Sequence, residues 1–188
     1  MNNEERKNSV TGVEYNLASI DSKWSGRAFF HKSFTEGLNG NDKIVGMRLE
    51  RNSLRHKAGM EWVHGGDDFR SNLGFFRRTG FLKISPEYTY RIYPKNADIT
   101  SYSFTQRGFF VYDTTNDYLM TDRIFITSIR KSFLNFSSLS LDYTNRYIYL
   151  ISDFNPTRSP EGIFLPASTD YSYAVSYTHL TLPTMFEV

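Results

Sequence analysis

The amino-acid sequence predicts an all-β protein, folded as an antiparallel up-and-down meander that forms part of an outer-membrane-type β-barrel. Residues 81–94 alternate between apolar and polar side chains almost without a break, which is the pattern of a strand with two different faces. Several other segments repeat this alternation, and some run past ten residues, whereas ordinary strands average about 5–6. A tilted strand needs roughly 9–11 residues to cross a bilayer. Length and alternation together therefore favour a membrane barrel over a soluble sheet.

The segment 81–94 defines the two predicted faces most clearly. Its apolar residues, which a barrel would turn toward lipid, are Leu82, Ile84, Tyr88, Tyr90 and Ile92. Its charged residues, which a barrel would turn toward a water-filled interior, are Lys83, Glu87 and Arg91. We expect Arg48 and Glu50 to face the interior in the same way, because a charge at the bilayer midplane costs about 2–4 kcal/mol on the lipid face.

Four further strands are predicted before residue 65. Segment 11–18 places on one face Val13, Tyr15 and Leu17. Segment 24–34 sets Arg27, His31 and Ser33 opposite Trp24, Gly26, Ala28 and Phe30. Segment 43–51 sets Arg48 and Glu50 opposite Val45, Met47 and Leu49. Segment 57–64 aligns Ala58, Met60 and Trp62.

Three strands are predicted after segment 81–94. Segment 101–112 alternates more weakly, segment 120–132 is mixed, and segment 138–151 is clean, with one parity formed by Leu139, Leu141, Tyr143, Tyr147, Tyr149 and Ile151. Residues that tolerate tight backbone separate the strands at 39–42, 65–68 and 114–117. The links near 19–23 and 52–56 are short and those near 35–42, 65–78 and 152–172 are longer, which is typical of outer-membrane barrels.

Composition excludes several classes of protein. The formal net charge of +2 is too balanced to indicate nucleic-acid binding, and the absence of cysteine excludes disulfides and thiolate metal sites. Aromatic residues make up 16% of the chain, and Trp24 and Trp62 suit the interfacial aromatic girdles of a barrel. No apolar run approaches the 18 residues of a transmembrane helix. Residues 1–7 contain no apolar core and do not form a signal peptide, so the barrel interpretation implies a native N-terminus further upstream.

The last residues, about 174–188, are predicted not to belong to the natural protein. Residues 175–184 read Val-Ser-Tyr-Thr-His-Leu-Thr-Leu-Pro-Thr, which is the translation, in one frame, of the transposon-end adapter used in sequencing libraries. A natural β-strand is the alternative explanation, but ten consecutive matches disfavour it. The native part is therefore expected to be a barrel fragment of about eight strands over residues 1–173, and His179 is not expected to be a site residue.

The segment at residues 72–81 resembles a motif of the DUF5916 family of Bacteroidetes-type envelope proteins. The family pattern is Asn-Pro-x-x-Gly-Phe-x-x-Arg-x-Gly-aromatic, and the matching residues are Gly74, Phe75, Arg78, Gly80 and Phe81. The Asn-Pro pair is not kept, since residues 71–73 read Ser-Asn-Leu. The segments 24–26, 154–158 and 165–166 are also similar to the barrel part of the family, so the resemblance extends over about residues 8–173.

This resemblance implies an internal piece of a barrel in the outer membrane of a Gram-negative bacterium, with the lipid bilayer as its partner. Family members join an N-terminal carbohydrate-binding domain to the barrel. A carbohydrate partner would therefore act through a domain that this segment lacks. The resemblance implies neither a nucleic-acid partner nor a cofactor for the barrel segment.

No residue pattern indicates a catalytic or metal site, and we expect no enzyme activity. The loop at 65–70 contains Asp67 and Asp68, which could bind calcium, although a solvated network of ion pairs in the loop is the favoured explanation. Arg77 and Arg78 could receive a phosphate or a lipopolysaccharide headgroup, and pairing with Asp67 and Asp68 explains them equally well. His31, His56 and His64 lack the short spacing of zinc ligands. Glu61 or Glu87 would need a partner at a fixed separation to act as a glycosidase pair.

Two other functions remain open at this point. A soluble all-β module would bind glycans through stacking platforms formed by Tyr88, Tyr90, Tyr147 and Tyr149. This alternative requires those rings to be packed under a second sheet or to line a groove. A β-sheet hydrolase would require two facing carboxylates in a cleft.

Overall fold

The computed structural model describes residues 7–37, 40–71, 78–95, 98–157 and 162–182. Within them the chain forms one nine-stranded sheet whose strand order is the order of the sequence. The strands are β1 (Asn8–Ala18), β2 (Trp24–Thr35), β3 (Lys43–Asn52), β4 (His56–Gly65), β5 (Phe81–Ile92), β6 (Ile99–Asp113), β7 (Leu119–Phe133), β8 (Ser138–Tyr149) and β9 (Asp170–Thr181). All neighbouring pairs are antiparallel. The predicted all-β antiparallel meander is confirmed, and the sheet is not closed, because β1 and β9 are not neighbours in the described residues.

The eight predicted segments correspond in order to β1–β8. The mixed segment 120–132 lies in β7, which is 15 residues long, as is β6. Pairing with two neighbours stabilises β7 over most of its length, although its own side-chain pattern is weak. In the part of the chain that the structure describes, no helix is long and apolar enough to span a membrane.

The connections differ between the two ends of the sheet. Residues 19–23, 53–55, 93–98 and 134–137 form what we call the short-turn end, and residues 36–42, 66–80, 114–118 and 150–169 form the long-loop end. The predicted difference in link length is present for 36–42, 66–80 and 150–169, whereas 114–118 is a five-residue turn. In the turn at 19–23, the Ser19 hydroxyl donates to Asp21 over 2.7 Å and the Lys23 ammonium lies 2.9 Å from it. These two interactions lower the pKa of the Asp21 carboxyl.

The hairpin between β6 and β7 turns through two left-handed residues. Asp117 has φ 48° and Tyr118 has φ 55°, and the Leu119 N–H donates to the Asn116 carbonyl over 2.9 Å. This is the geometry of a type I′ turn, which favours glycine because a side chain at positive φ is strained.

We expect Tyr118→Gly to raise the free energy of unfolding by about 0.5–1 kcal/mol, measured as a higher urea midpoint. Tyr118→Ala keeps the Cβ and serves as the control; an equal gain from both variants would contradict the explanation.

The strand register places the two predicted sets of residues on opposite faces of the sheet. Directly opposite residues share a face, and Glu50 lies opposite Gly59, which in turn lies opposite Glu87. Lys83, Arg91, Arg48 and Glu50 are thereby on the same face as Glu87, which we call the polar face. Leu82, Ile84, Tyr88, Tyr90 and Ile92 lie on the other, which we call the apolar face.

The apolar face is the more exposed of the two. Within β2–β8, the exposed large hydrophobic side chains all lie on it: Trp24, Phe30, Phe34, Met47, Leu49, Met60, Tyr88, Ile92, Tyr102, Phe104, Phe125, Ile129, Leu139, Leu141 and Tyr143. Met47 is 53% exposed and Ile129 is 50% exposed. By contrast, the polar-face residues Ser33 and Thr89 are buried. The usual arrangement of a soluble sheet, with its apolar side chains covered, is reversed here.

In the last strand, β9, several side chains lie on the wrong face: tyrosines on the polar face and polar residues on the apolar face. Opposite β8, Tyr173 and Tyr177 fall on the polar face, whereas Ser176 and Thr178 fall on the apolar face. A shift of one residue in register would exchange the two sets. Main-chain pairing along the edge of β8 is sufficient to hold such a strand. The predicted adapter-derived tail forms most of β9. The strand begins at Asp170, whereas the sequence predicts a link up to residue 172. Its side chains do not follow the polar and apolar faces of β1–β8. Its non-native origin stays a prediction.

Candidate functional site

A ladder of ion pairs crosses the polar face from β3 to β6. The Arg48 guanidinium lies 3.2 Å from the Glu50 carboxylate, which lies 3.4 Å from the Lys57 ammonium. Lys57 is 3.5 Å from Glu87, and Glu87 is 3.8 Å from Arg107. Charges of alternating sign on adjacent strands attract one another across the sheet, so the predicted interior residues Arg48, Glu50 and Glu87 belong to one network. Sequence reasoning did not select Lys57 or Arg107, which complete it.

Two shorter polar groups accompany this ladder. Lys83 pairs with Glu61 over 2.9 Å between β4 and β5, and Glu14 pairs with Arg27 over 2.7 Å between β1 and β2. Side-chain hydroxyls continue the network beyond the ion pairs. The hydroxyls of Thr89 and Thr105 are 3.0 Å apart, and Ser128 donates to Asp142. The polar face is thus internally hydrogen-bonded over most of its width.

The polar face is concave and encloses a hollow of about 640 Å³, which we call the polar hollow. Side chains of six strands, β4–β9, line it, among them Lys57, Glu87, Arg91, Arg107, Arg130 and Asp142. A flat sheet does not bring six strands around one space, so the sheet curves toward its polar side. The polar residues are therefore on the inside of the curve and the apolar residues on the outside.

A small apolar cluster occupies the polar face at the long-loop end. The loop after β4 turns inward and places Phe69, 2% exposed, against Ile44 and Val63, with Phe29 and Phe81 packed beside them. Gly46 makes this packing possible, since a Cβ there would lie 2.5 Å from the Phe29 ring. The Arg70 N–H donates to the Ser33 hydroxyl over 3.1 Å and fixes the loop to β2. The alternation of the strands gave no signal for this inward fold, because Phe69 lies outside them.

Arg78 connects the loop before β5 to the β6–β7 hairpin. Its guanidinium donates to the Thr121 hydroxyl over 2.6 Å and to the Asp122 carboxylate over 3.1 Å, and it lies 3.7 Å from the Asp113 carboxylate. The pairing of Arg78 with Asp67 and Asp68, one of the two explanations open for it, is not formed, because the side chain points toward the neighbouring hairpin instead. Arg77, the second arginine of that expectation, lies outside the described residues.

The other described motif residues have equally local roles. Gly80 is buried with φ 64°, and a Cβ there would lie 2.8 Å from a Thr115 methyl carbon. Its N–H donates to the Gly66 carbonyl over 3.2 Å, and its carbonyl accepts from Thr114 over 2.9 Å. Phe81 begins β5 and packs on the apolar cluster. Gly74 and Phe75 lie outside the described residues. The described part of the motif therefore fastens the loop rather than forming a pocket.

The apolar face is not free of polar groups. Arg123 of β7 lies on it, donates to the Asn145 amide oxygen over 3.2 Å and sits 5.6 Å from the Tyr147 ring centre. Gln106 and Thr127 are 3.5 Å apart on the same face. These pairings satisfy part of the hydrogen-bonding capacity of the side chains within the sheet itself. They also explain why segment 120–132 looks mixed in the sequence.

The tyrosines of the glycan-binding alternative do not form one platform. Tyr88 and Tyr90 are on β5 and Tyr147 and Tyr149 are on β8, with β6 and β7 between them. Three strand spacings of about 4.8 Å separate the two pairs by roughly 14 Å. All four rings are on the apolar, outer face, and the described residues provide no second sheet to cover them. Neither the buried arrangement nor the groove that this alternative requires is present in the described chain.

The carboxylates considered for hydrolysis are engaged in ion pairs. Glu61 and Glu87 both line a small cavity of about 180 Å³ on the polar face. Glu61 is held by Lys83, and Glu87 by Lys57 and Arg107.

The histidines are spread over the sheet. His31 is 3.2 Å from Glu14 on β1, His56 contacts the Tyr88 hydroxyl over 2.9 Å, and His64 stacks on Trp62. Within the residues that the structure describes, no group of three or more His, Asp or Glu side chains is placed to hold a metal ion. His179 of β9 lines the polar hollow.

Comparison of the chain with models of known protein families, with curated proteins and with solved structures finds no match. The function is therefore inferred from the geometry of the two faces.

Proposed function

We propose that this chain is a non-catalytic segment of an outer-membrane β-barrel, belonging to an envelope protein of the DUF5916 type. Its apolar face would contact the lipid bilayer, and its polar face would line a water-filled interior. The observation that carries the proposal is the reversed exposure of the two faces. Fifteen exposed large hydrophobic side chains of β2–β8 share this face, whereas soluble monomers rarely expose contiguous apolar patches larger than a few hundred Å².

The size and connectivity of the strands support the same function. About 10–12 residues tilted by about 45° cover roughly 25 Å, the height of the apolar band of a bacterial barrel. The strands β1–β8 contain 10–15 residues each. Short turns at one end and long loops at the other match the periplasmic and extracellular ends of such barrels. In a Gram-negative cell the long-loop end would then face outward.

The polar face fits a barrel interior because its charges are paired. The ladder from Arg48 to Arg107 joins four strands with alternating charges. Such a network stabilises the curved face while remaining hydrated, so polar residues are tolerated there at little cost. The resemblance to the family motif agrees with this placement, because Arg78 and Gly80 fasten a loop at the long-loop end.

Depth-dependent fluorescence quenching tests the proposal directly, since the chain contains only two tryptophans, Trp24 and Trp62. The full chain is refolded into phosphatidylcholine vesicles that carry bromine at different depths along the acyl chains. Both tryptophans lie on the apolar face, but Trp24 is the first residue of β2 whereas Trp62 is an inner residue of β4, paired with Met47 in the middle of β3. We therefore expect Trp24 to be quenched most strongly by bromines near the headgroups and Trp62 by bromines deeper along the acyl chains. Trp24→Phe and Trp62→Phe assign the signal to each residue.

A soluble chain would give a different result. If the protein stays monomeric in buffer without detergent and its tryptophans are not quenched by any brominated lipid, the membrane function is excluded. That result would favour a soluble all-β protein instead.

A further inference from the structure

The polar hollow contains a row of arginine and serine side chains that the ion-pair ladder does not use. Arg91 of β5 lies opposite Ser103 of β6, Ser103 lies opposite Arg130 of β7, and Arg130 lies opposite Ser140 of β8. All four side chains are on the polar face and line the hollow. Two strand spacings of about 4.8 Å separate the backbones of the two arginines. Their long side chains can therefore reach a single ligand placed above Ser103.

The charges of the hollow are not balanced along this row. Lys57 and Arg107 are paired with Glu87, and Asp142 accepts from the Ser128 hydroxyl. Among the described residues, no carboxylate lies within 4.0 Å of the Arg91 or Arg130 guanidinium. The lining of the hollow contains four Lys and Arg side chains against the two carboxylates of Glu87 and Asp142, and a concave wall concentrates the field of this excess positive charge.

The groups along the row are those that recognise oxyanions. A guanidinium presents parallel N–H donors that match the oxygens of phosphate, and hydroxyls add donors between the two arginines. The row lies near the short-turn end, since Arg91 is followed by the turn at 93–98 and Arg130 by the turn at 134–137. The apolar cluster around Phe69 occupies the other end of the polar face. A ligand would therefore approach from the short-turn end.

We propose that the polar hollow binds a phosphate-class oxyanion, held by Arg91 and Arg130 with the Ser103 and Ser140 hydroxyls between them. A hollow of about 640 Å³ is large enough for a small phosphorylated molecule as well as for inorganic phosphate. The four side chains that would hold the oxyanion come from β5–β8, and Tyr177 and His179 of β9 complete the wall of the hollow. The site depends on the geometry of the polar face and not on whether the apolar face contacts lipid.

Isothermal titration calorimetry of the full chain, in detergent micelles or in buffer according to its solubility, tests this site. One arm uses inorganic phosphate, and a second uses glycerol 3-phosphate, which represents a phosphorylated headgroup. We expect saturable binding in at least one arm, and tighter binding in the second arm would identify a phosphorylated molecule as the ligand. Sodium chloride at matched ionic strength should not compete, because chloride does not satisfy a bidentate guanidinium.

Variants separate specific binding from a general effect of charge. Arg91→Gln combined with Arg130→Gln should weaken binding by roughly ten- to a hundred-fold, the loss expected for charge-assisted hydrogen bonds. Arg146→Gln is the matched control, because Arg146 is on the polar face of β8 but does not line the hollow. Circular dichroism establishes that each variant keeps its sheet. Absence of saturable binding to the folded wild type, or an equal loss in Arg146→Gln, overturns the proposal.

Discussion

Replacing Phe125 with arginine is expected to reduce the stability of the chain in a bilayer by about 2–4 kcal/mol, the cost of an arginine at the midplane of a barrel's lipid face. Phe125 lies on the apolar face in the middle of β7, opposite Gly108 of β6 and Asn145 of β8. Phe125 is the seventh of the fifteen residues of β7, so an added guanidinium there is far from both ends of the strand. The measurement is the urea midpoint of unfolding from phosphatidylcholine vesicles, followed by tryptophan fluorescence.

The neighbouring residue supplies a matched control. Ile126 is one position further along β7, lies on the polar face and lines the polar hollow. Ile126→Arg makes the same chemical change in the same strand, but its guanidinium would point into the hydrated interior and we expect a change below about 1 kcal/mol. If the two variants lose equal stability, or if Ile126→Arg is the worse, the assignment of the apolar face to lipid is wrong.

The faces of the strands could be predicted because they follow from a local rule. In segment 81–94 nearly every side chain alternates, and the register of β4, β5 and β6 keeps that alternation across the sheet. A slip of one residue would reverse all the faces, so the hydrophobic pattern itself selects the pairing. The same rule also shows why the alternation of β7 is weak. In β7, Arg123 and Lys131 fall on the apolar face and Ile126 on the polar face, which weakens the alternation without preventing pairing.

The partners of the loop residues could not be predicted in the same way. Pairing with nearby aspartates is one explanation that the sequence offers for Arg78, but the side chain contacts Thr121 and Asp122, more than forty positions along the chain. Phe69 looked like one residue of a solvated loop, yet it is the most buried member of the apolar cluster. No periodic rule connects a loop to the strand beside it, because the loop direction depends on the packing of the completed sheet.

Arg78→Ala is expected to lower the free energy of unfolding by about 2–3 kcal/mol, the range for hydrogen bonds to charged groups. The substitution removes the donor that serves Thr121, which is 1% exposed, and leaves the nearly buried Asp113 carboxylate without its cation. Asp113 also accepts from the Thr115 N–H and hydroxyl, over 2.9 and 2.6 Å, so the turn at 114–118 loses support as well. Arg78→Lys should have an intermediate effect, because one ammonium cannot serve the three partners together. The change is measured as a shift of the urea midpoint, with Arg146→Ala as a control for the loss of a polar-face arginine.

Neutralising Asp113 distinguishes charge compensation from simple packing. Asp113→Asn keeps the oxygen that accepts from Thr115 but removes the negative charge that faces Arg78. If Arg78 acts by compensating that charge, Arg78→Ala should cost about 1 kcal/mol less in the Asp113→Asn background than in the wild type, because removing the arginine no longer strands a carboxylate. An unchanged cost would show that the hydrogen bonds to Thr121 and Asp122 carry the whole effect. A cost near zero in the wild-type background would mean that Arg78 does not hold the loop to the β6–β7 hairpin, and the physical explanation for the arginine of the motif would be lost.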